Sequence, residues 1–336
     1  MSAIFNYYVR TIVAILVTIF IIKSNLYAQQ ADTYKLLITS DPHTTFQLNQ
    51  CNPLLYQLRK RHEGNTDHLI KFFRTIPKKT AADAVVITGD MIDFFEADIS
   101  SNSTQKMANQ VQQFAAISMY CPLPLYMVIG NHDIISYWVS LEDSTKRETE
   151  IYADRARASW IKYNQCFRNG TYYHEINKVG DTKYHLFFLD NGYSLHDGAK
   201  ILDKTQLDWL EAELAKTTSE PVLIFMHRYY SIGDINGDGI YFKKNKPVDW
   251  PTEKECSGGL LKIINENSNI KAMFVGHQHN NVWEPIRFPA GHTVYQIMTS
   301  TLYKSPNNWR LISFTENNLI VAKPGSMDNE IIIPIK

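Results

Sequence analysis

The sequence has no excess of charge of either sign, since its 336 residues include 34 lysines and arginines and 34 aspartates and glutamates. A protein that binds nucleic acid normally carries a basic excess or a basic run, and this chain has neither. From about residue 34 onward it also lacks repeats, low-complexity tracts and linkers long enough to separate domains. These absences predict one folded domain with no nucleic-acid-binding surface.

Cysteines are few, and no pair has the C-x-x-C spacing that a structural zinc site would need. The even number is compatible with one or two disulfides in an oxidising compartment. It is equally compatible with buried free thiols. The sequence leaves both alternatives open for the four cysteines, which are Cys51, Cys121, Cys166 and Cys256.

The chain also lacks an uninterrupted run of about 20 apolar residues, the length that crosses a membrane. Its N-terminal run, residues 11–22, lies between Arg10 and Lys23 and has the length of a secretory signal core. The small residue Ala28 offers a cleavage point, although Leu26 is a weaker match to the signal pattern. We predict a signal peptide over residues 1–28, with an uncleaved N-terminal anchor as the alternative. Either reading predicts export, to the periplasm or outside the cell, and no stable membrane span beyond this segment.

Short β-branched, apolar runs are present, and each stops abruptly at a polar cluster. Runs of this length and composition are typical of buried strands. The five runs and their clusters are Leu36–Thr39 with Ser40–His43, Val85–Thr88 with Gly89–Asp93, Leu125–Ile129 with Gly130–Asp133, Val222–Met226 with His227, and Ala272–Val275 with Gly276–His279.

Helical patterns separate these runs, and in 205–215 Leu207, Leu210 and Leu214 recur on one face. Strands that alternate with helices pair mainly in parallel, and ligand sites then lie beyond the carboxyl ends of the strands. We therefore expect the polar clusters to converge. The predicted helices cover roughly 66–76, 103–118, 151–166, 204–216 and 255–266.

After Asn281 the pattern changes to extended segments, with Asn317 and Asn318 as a hairpin turn. We interpret these segments as an antiparallel sheet that closes a second layer. The predicted fold is of the α/β class, a four-layer α/β/β/α sandwich of two mixed β-sheets flanked by helices. The extended segments are 281–288, 293–299, 309–315 and 319–322.

The polar residues at the strand ends form a mixed set of nitrogen and oxygen ligands. Such a set suits manganese, iron or zinc better than calcium or magnesium alone. It is too large for one ion but suits two divalent or transition metal ions about 3.5–4 Å apart. The seven residues are Asp41, His43, Asp90, Asn131, His227, His277 and His279.

The order of these motifs resembles that of the calcineurin-like metallophosphoesterase superfamily. D-x-H, G-D-x-x-D, G-N-H-D/E, a lone strand-end histidine and G-H-x-H follow one another between residues 41 and 279, and no expected ligand is missing. The resemblance implies a metallophosphoesterase domain over residues 34–323, followed by a tail, 324–336, that closes the fold.

Each position then has an implied role. The resemblance assigns Asp41, His43 and His279 to one metal and Asn131, His227 and His277 to the other, with Asp90 as the bridge. A metal-bridging hydroxide would attack a small phosphodiester or phosphomonoester. His132 would contact the phosphate and protonate the leaving oxygen, Asp133 would orient His132 or a metal-bound group, and Asp93 would support the ligands.

At three positions the sequence differs from two branches of the superfamily, and these differences restrict the range of expected substrates and metals. Phe94 stands where protein serine/threonine phosphatases have arginine, and Asp133 where they have glutamate. Asp93 occupies the place of the tyrosine of purple acid phosphatases. These differences favour a small-molecule phosphoester and divalent or mixed metals. The alternative is a catalytically silent metal- or calcium-binding module on the same scaffold. Residues 234–245 copy the first half of a calcium loop and so suggest calcium binding. The last position of that loop is Asn245, however, where such loops have a bidentate glutamate.

Overall fold

The computed structural model describes residues 33–97, 109–137, 152–192, 202–217, 219–230 and 251–336, together with the backbone of two short strands at 148–149 and 248–249. The predicted signal peptide, residues 1–28, and the half calcium loop, 234–245, both lie outside the described residues.

One sheet has six strands and is built around β1 (Tyr34–Thr39). On one side β1 pairs in parallel with β2 (Ala84–Ile87), which pairs in parallel with β3 (Leu125–Met127). A small separate ribbon consists of β4 (Ser136–Tyr137) and β5 (Glu148–Thr149).

The second sheet has seven strands and a parallel centre. Its strands are β6 (Tyr173–Val179), β7 (Thr182–Phe188), β8 (Val222–Phe225), β9 (Val248–Asp249), β10 (Ile270–Val275), β11 (Val282–Arg287) and β12 (Thr293–Met298). The spatial order is β6-β7-β8-β10-β12-β11-β9, and β7, β8, β10 and β12 run parallel to one another.

The last three strands return to the first sheet. The strands β13 (Trp309–Phe314), β14 (Asn318–Ala322) and β15 (Asn329–Pro334) add successively and antiparallel to the free edge of β1. The expectation that all segments after Asn281 form one closing layer was therefore wrong, because they divide between the two sheets. The local pattern identifies an extended segment, but only long-range pairing decides which sheet it joins.

The helices follow the predicted pattern, with one addition. The structure has α1 (Pro53–Arg59), α2 (Asn65–Thr80), α3 (Gln110–Ser118), α4 (Ala153–Tyr163), α5 (Lys204–Leu214) and α6 (Gly259–Glu266). Helix α1 was not predicted, although Asn52 caps it by accepting from the amide of Leu54 and Pro53 opens its first turn. It is short, and its core-facing residues are too few to form a clear periodic pattern.

Alternate residues of the central strands face two different cores. In β8, Leu223 and Phe225 lie in the core that both sheets share, whereas Val222 and Ile224 face the core formed with α5 and α6. Tyr126 of β3 stacks on Phe188 of β7 with ring centroids 5.3 Å apart and so joins the two sheets. This packing confirms the four-layer sandwich.

The four cysteines are unpaired thiols, two of them buried and two half-buried. Burial raises the pKa of Cys51 and of Cys121 to about 11. Of the two alternatives that the sequence left open, the structure has free thiols. In the part of the chain that is described, no helix is long and apolar enough to cross a membrane.

Candidate metal centre

The five polar clusters meet at one end of the sandwich. They follow β1, β2, β3, β8 and β10, and main-chain hydrogen bonds join the loops that carry them. The amide of Asp41 donates to Gly89 O at 3.1 Å, and the amide of Gly276 donates to His227 O at 2.9 Å. The convergence that the strand-end pattern predicted is therefore present in the fold.

A first group of ligand atoms comes from β1, β2 and β10. Asp41, His43, Asp90 and His279 each offer one such atom, all within 4.8 Å of one another. His279 Nε2 lies 3.2 Å from His43 Nε2 and 3.2 Å from Asp41 Oδ1. These distances leave room for one shared cation.

A second group comes from β2, β3, β8 and β10. Asp90, His227 and His277 offer ligand atoms within 4.8 Å of one another. His227 Nε2 lies 3.2 Å from His277 Nδ1 and 3.1 Å from Asn131 Oδ1. The amide oxygen of Asn131 thus completes a second ligand set.

Asp90 belongs to both groups. Its Oδ2 lies 3.5 Å from His43 Nε2 and 3.3 Å from His227 Nε2. Its Oδ1 accepts a hydrogen bond of 2.8 Å from the amide of His132, which fixes the orientation of the carboxylate. All seven predicted ligands therefore face one pocket, and Asp90 lies between its two halves.

Hydrogen bonds aim the imidazole lone pairs into the pocket. His43 Nδ1 donates to Asp93 Oδ1 at 3.1 Å, and His227 Nδ1 donates to Thr88 O at 2.8 Å. In the neutral form that binds a metal, an imidazole carries one N–H, so Nε2 of each ring would then present its lone pair to the other ligands. Partners of this kind typically orient metal-binding histidines.

The donor atoms of the pocket satisfy one another poorly and would be better satisfied by bound cations. Asp41 Oδ1 is buried and accepts no hydrogen bond of good geometry among the described residues. Imidazole nitrogens face each other at 3.2 Å in each group, which is unfavourable unless one of the two carries a proton or a cation lies between them. Buried polar atoms without a partner are costly, and a bound ion removes that cost.

Backbone strain is concentrated at the same residues. Non-glycine residues with positive φ are uncommon and cost about 1–3 kcal/mol each. Their persistence at the strand ends indicates that the surrounding loops hold the backbone in place for the site. Five of the seven predicted ligands have such a backbone, with φ of 48° at Asp41, 44° at His43, 50° at Asp90, 72° at His277 and 55° at His279.

The carboxylates and rings shift one another's pKa. Burial by itself raises the pKa of Asp90, but the His227 and His132 rings hold it well below its ordinary range. Burial lowers the pKa of His227, yet the Asp90 carboxylate raises it to about 9 overall. At His132 the nearby carboxylates of Asp90 and Asp93 offset the effect of burial less completely, so burial lowers its pKa to about 4.

Asp133 was predicted to orient His132 or a metal-bound group, and its described contacts bear on the first of these two roles. Its carboxylate accepts from the amides of Ile92 at 3.0 Å and Gly130 at 2.8 Å, and these are its hydrogen-bond partners among the described residues. It therefore joins the loop after β2 to the loop after β3. The expected contact with the ring of His132 is absent from the described part, because His132 Nδ1 donates instead to Asp93 O at 2.8 Å.

Several residues near the pocket were missed from the sequence. Tyr303 contacts His43, His62 and His279 edge-on, with ring centroids 4.8–5.7 Å apart. Nothing in the local pattern marks Tyr303 or His62. Asn191 could have been found from the sequence, because it follows shortly after the apolar run of β7. In the structure its Oδ1 accepts a hydrogen bond from the amide of His227 at 2.8 Å.

A third group of ligand atoms, from His43, His62 and Asp93, lies beside the first. It is not a further cation site, because the guanidinium of Arg59 already contacts the Asp93 carboxylate through Nε at 2.6 Å and through Nη2. A second cation beside the guanidinium would be repelled at this distance.

Gly130 is required by the close approach of two loops. A Cβ at this position would lie 2.2 Å from Asp90 Oδ1, whereas a Cβ at the exposed Gly258 would meet nothing within 4 Å. We expect Gly130→Ala to displace Asp90 and weaken transition-metal binding at least about tenfold, measured by chelator competition. Gly258→Ala is the matched control, and equal affinities of the two variants would contradict the prediction.

Comparison with known proteins agrees with this geometry. The family model described as calcineurin-like phosphoesterase matches residues 34–281. The chain is similar to a protein of Fibrobacter succinogenes named as a probable cyclic nucleotide phosphodiesterase, with 25% identity over 281 residues that cover 78% of this chain and 89% of the relative.

Among solved structures, the chain is similar to a dimetal phosphatase from Danio rerio, with a TM-score of 0.55 and 13% identity over 90% of this chain and 99% of that one. It is also similar to GAP50, the anchor in the inner membrane complex of Plasmodium, with a TM-score of 0.51 and 11% identity over 90% of each chain. Such identities establish the fold alone. The family match, the ordered motifs and their convergence together place the chain in the calcineurin-like phosphoesterase family, as a metal-dependent phosphoester hydrolase.

Proposed function

We propose that the chain hydrolyses small phosphodiesters, with phosphomonoesters as the second candidate substrate class, at a centre of two divalent or transition metal ions. The observation that carries the proposal is the position of Asp90, whose Oδ2 lies 3.5 Å from His43 Nε2 and 3.3 Å from His227 Nε2. A carboxylate between two sets of nitrogen and oxygen donors is the arrangement that two-metal hydrolases use.

The ligands divide according to their distances. Asp41, His43 and His279 would hold one ion, Asn131, His227 and His277 would hold the other, and Asp90 would bridge them. When bound, the ions would supply Lewis-acid activation of a water nucleophile and neutralise charge on the phosphoryl group. Manganese, iron and zinc all suit this donor set.

His132 is the proposed proton donor to the leaving oxygen. The main-chain amide of His132 donates to Asp90 Oδ1 at 2.8 Å, and its ring Nδ1 donates to Asp93 O at 2.8 Å. Nε2 is therefore the ring nitrogen that can reach a substrate. The ester P–O bond breaks as a hydroxide oxygen, formed when water gives up a proton to solvent, bonds to phosphorus, and the leaving oxygen takes the proton from Nε2. The neutral ring must first gain that proton, and the negative charge of a bound phosphoester favours this uptake.

A small substrate is supported by the surroundings of the pocket. Phe94, in the position of the arginine of phosphoprotein phosphatases, is fully buried and packs edge-on against Tyr137 with ring centroids 5.9 Å apart. It offers no charge to a phosphate. The name of the Fibrobacter relative, a probable cyclic nucleotide phosphodiesterase, makes cyclic nucleotides one diester to test.

We also propose that the protein is exported. The support is the N-terminal apolar run between Arg10 and Lys23, followed by the small residue Ala28. Export favours substrates outside the cytoplasm, such as scavenged nucleotides or phosphodiesters of the cell surface. N-terminal sequencing of the protein recovered from a cell fractionation tests this proposal, and an intact Met1 in the cytoplasmic fraction would refute it.

The reaction is tested with purified protein loaded with manganese, zinc or iron. We expect close to two metal ions per chain by elemental analysis, and turnover of bis(p-nitrophenyl) phosphate faster than of p-nitrophenyl phosphate. Cyclic nucleotides and glycerophosphodiesters should then be compared by phosphate release after added monoesterase. Two bound metals without turnover of any ester would instead support a silent metal-binding module.

A further inference from the structure

The guanidinium of Arg59 is buried next to the pocket. Arg59 is the last residue of α1 and is 5% exposed, whereas its neighbours Lys60 and Arg61 are exposed. Its Nε donates to Asp93 Oδ2 at 2.6 Å and its Nη2 donates to Asp93 Oδ1. Two parallel hydrogen bonds between a guanidinium and a carboxylate fix the plane of both groups.

The Asp93 carboxylate in turn contacts His43, one of the predicted metal ligands. Its Oδ1 accepts from His43 Nδ1 at 3.1 Å, and this bond directs His43 Nε2 toward Asp41 and Asp90. If the carboxylate turned about its side-chain bonds, Nδ1 of His43 would lose this acceptor, and the ring would lose the bond that sets its tautomer. Arg59 holds the carboxylate by both oxygens and so prevents that turn.

The same guanidinium also borders His132. Arg59 Nη2 lies 3.5 Å from His132 Nδ1, and His132 Nδ1 donates to the main-chain oxygen of Asp93 at 2.8 Å. Both nitrogens are donors, so this contact is steric rather than a hydrogen bond. The ring of His132 is therefore confined between the Asp93 backbone and the guanidinium.

The position of Arg59 is itself well supported. The ring of Tyr137 lies with its centroid 5.4 Å from the Arg59 guanidinium carbon, and Tyr137 is fully buried. A guanidinium that is stacked on an aromatic ring and paired with a carboxylate loses little further freedom when a ligand binds. Lysine cannot reproduce this arrangement, because an ammonium group is not planar and does not bond a carboxylate in parallel.

We propose that Arg59 is a positioning residue that acts on His43 through the Asp93 carboxylate and on His132 by direct contact, and so couples the first metal site to the proton donor. The inference rests on the proposed function and extends it to a residue outside the family's motifs. This proposal adds a helix to the elements that form the site. Helix α1 lies between the first two strands in sequence and supplies none of the predicted ligands.

Arg59→Met tests the proposal, with Lys60→Met as the matched control on the same helix. We expect Arg59→Met to weaken binding of one of the two metals about 10–100-fold, measured by chelator competition, and to lower kcat by a similar factor with KM nearly unchanged. Arg59→Lys should recover only part of the loss. In the zinc-loaded protein, nitrogen-15 NMR should report a changed tautomer of one metal-bound histidine in Arg59→Met.

Wild-type metal affinity, kcat and histidine tautomers in a folded Arg59→Met variant would overturn the proposal. If that variant does not fold, the double variant Arg59→Met/Asp93→Asn removes the unpaired charge while keeping an oxygen for His43. Metal binding weaker in the double variant than in Asp93→Asn alone would support positioning, and equal binding in these two variants would reduce Arg59 to a counter-ion. A wild-type protein without metals or turnover would instead refute the proposed function, and this inference with it.

Discussion

Replacing Asp90 by asparagine is expected to abolish phosphoester hydrolysis while the protein remains folded. The amide has the size of the carboxylate, but it offers one neutral oxygen and one N–H group where Asp90 now faces both His43 and His227. The asparagine oxygen could bind at most one of the two cations, and neither cation would keep an anionic ligand at this position. We expect kcat/KM to fall at least about a thousandfold, which corresponds to about 4 kcal/mol, and metal content to fall from two ions toward one.

The measurements for Asp90→Asn are elemental analysis, steady-state kinetics and circular dichroism on one preparation. Asp67→Asn is a suitable control, because Asp67 lies exposed in the first turn of α2 and carries the same chemical change. Retention of two tightly bound metals and of turnover in Asp90→Asn would remove Asp90 from its bridging role. Loss of the folded spectrum would leave the kinetic comparison to His277→Ala, whose ring is partly exposed and less needed for packing.

The second large effect is expected for His132→Ala, and it should depend on the leaving group. General acid catalysis typically contributes about 10²- to 10⁴-fold, and it matters most when the leaving oxygen is strongly basic. His132 is not among the grouped ligand residues, so its removal should leave both metals bound. We therefore expect alkyl phosphodiesters to lose most of their turnover and p-nitrophenyl esters to lose much less.

His68→Ala serves as the control for this series, since His68 lies exposed on α2. The rates should be plotted against the basicity of the leaving group for wild type and for His132→Ala. A steeper dependence in the variant supports proton donation by His132. Equal slopes with a uniform loss of rate would assign His132 to binding the phosphate instead.

Much of the fold follows from local pattern. The apolar runs at 36–39, 85–88, 125–129, 222–226 and 272–275 all became strands, because β-branched residues in short uninterrupted runs have few other stable environments. The hairpin of β6 and β7 was missed. The exposure of side chains alternates only weakly along β6, and Lys178 of β6 and Lys183 of β7 make the hairpin less apolar near its turn.

The fate of the C-terminal strands could not be predicted in the same way. β11 and β12 pair with each other and join the second sheet through β10, whereas β13 crosses to β1. Each of these strands has a local pattern that suits either sheet. The choice depends on which edge is free once the earlier strands are in place, and this is a property of the whole chain.

The site shows the same division between local and long-range information. Predicted ligands such as Asp41 and His277 are marked by their place after a strand, where a polar cluster replaces an apolar run. Arg59 and Tyr303 have no such mark. Asp133 has one, but its neighbours in sequence do not reveal that its carboxylate bonds the backbone at Ile92 and Gly130.

By itself, the sequence determined the reaction class and predicted that seven polar side chains would converge, because metal-binding residue types at the ends of parallel strands have a common edge to meet at. The tertiary structure alone decided how those ligands are held. The Arg59–Asp93 pair spans 34 residues and the His43–Asp93 bond spans 50, and both exist only when α1 and the first two strands are packed together. Hydrogen bonds across such separations depend on the packing of elements, which no local pattern of residues encodes.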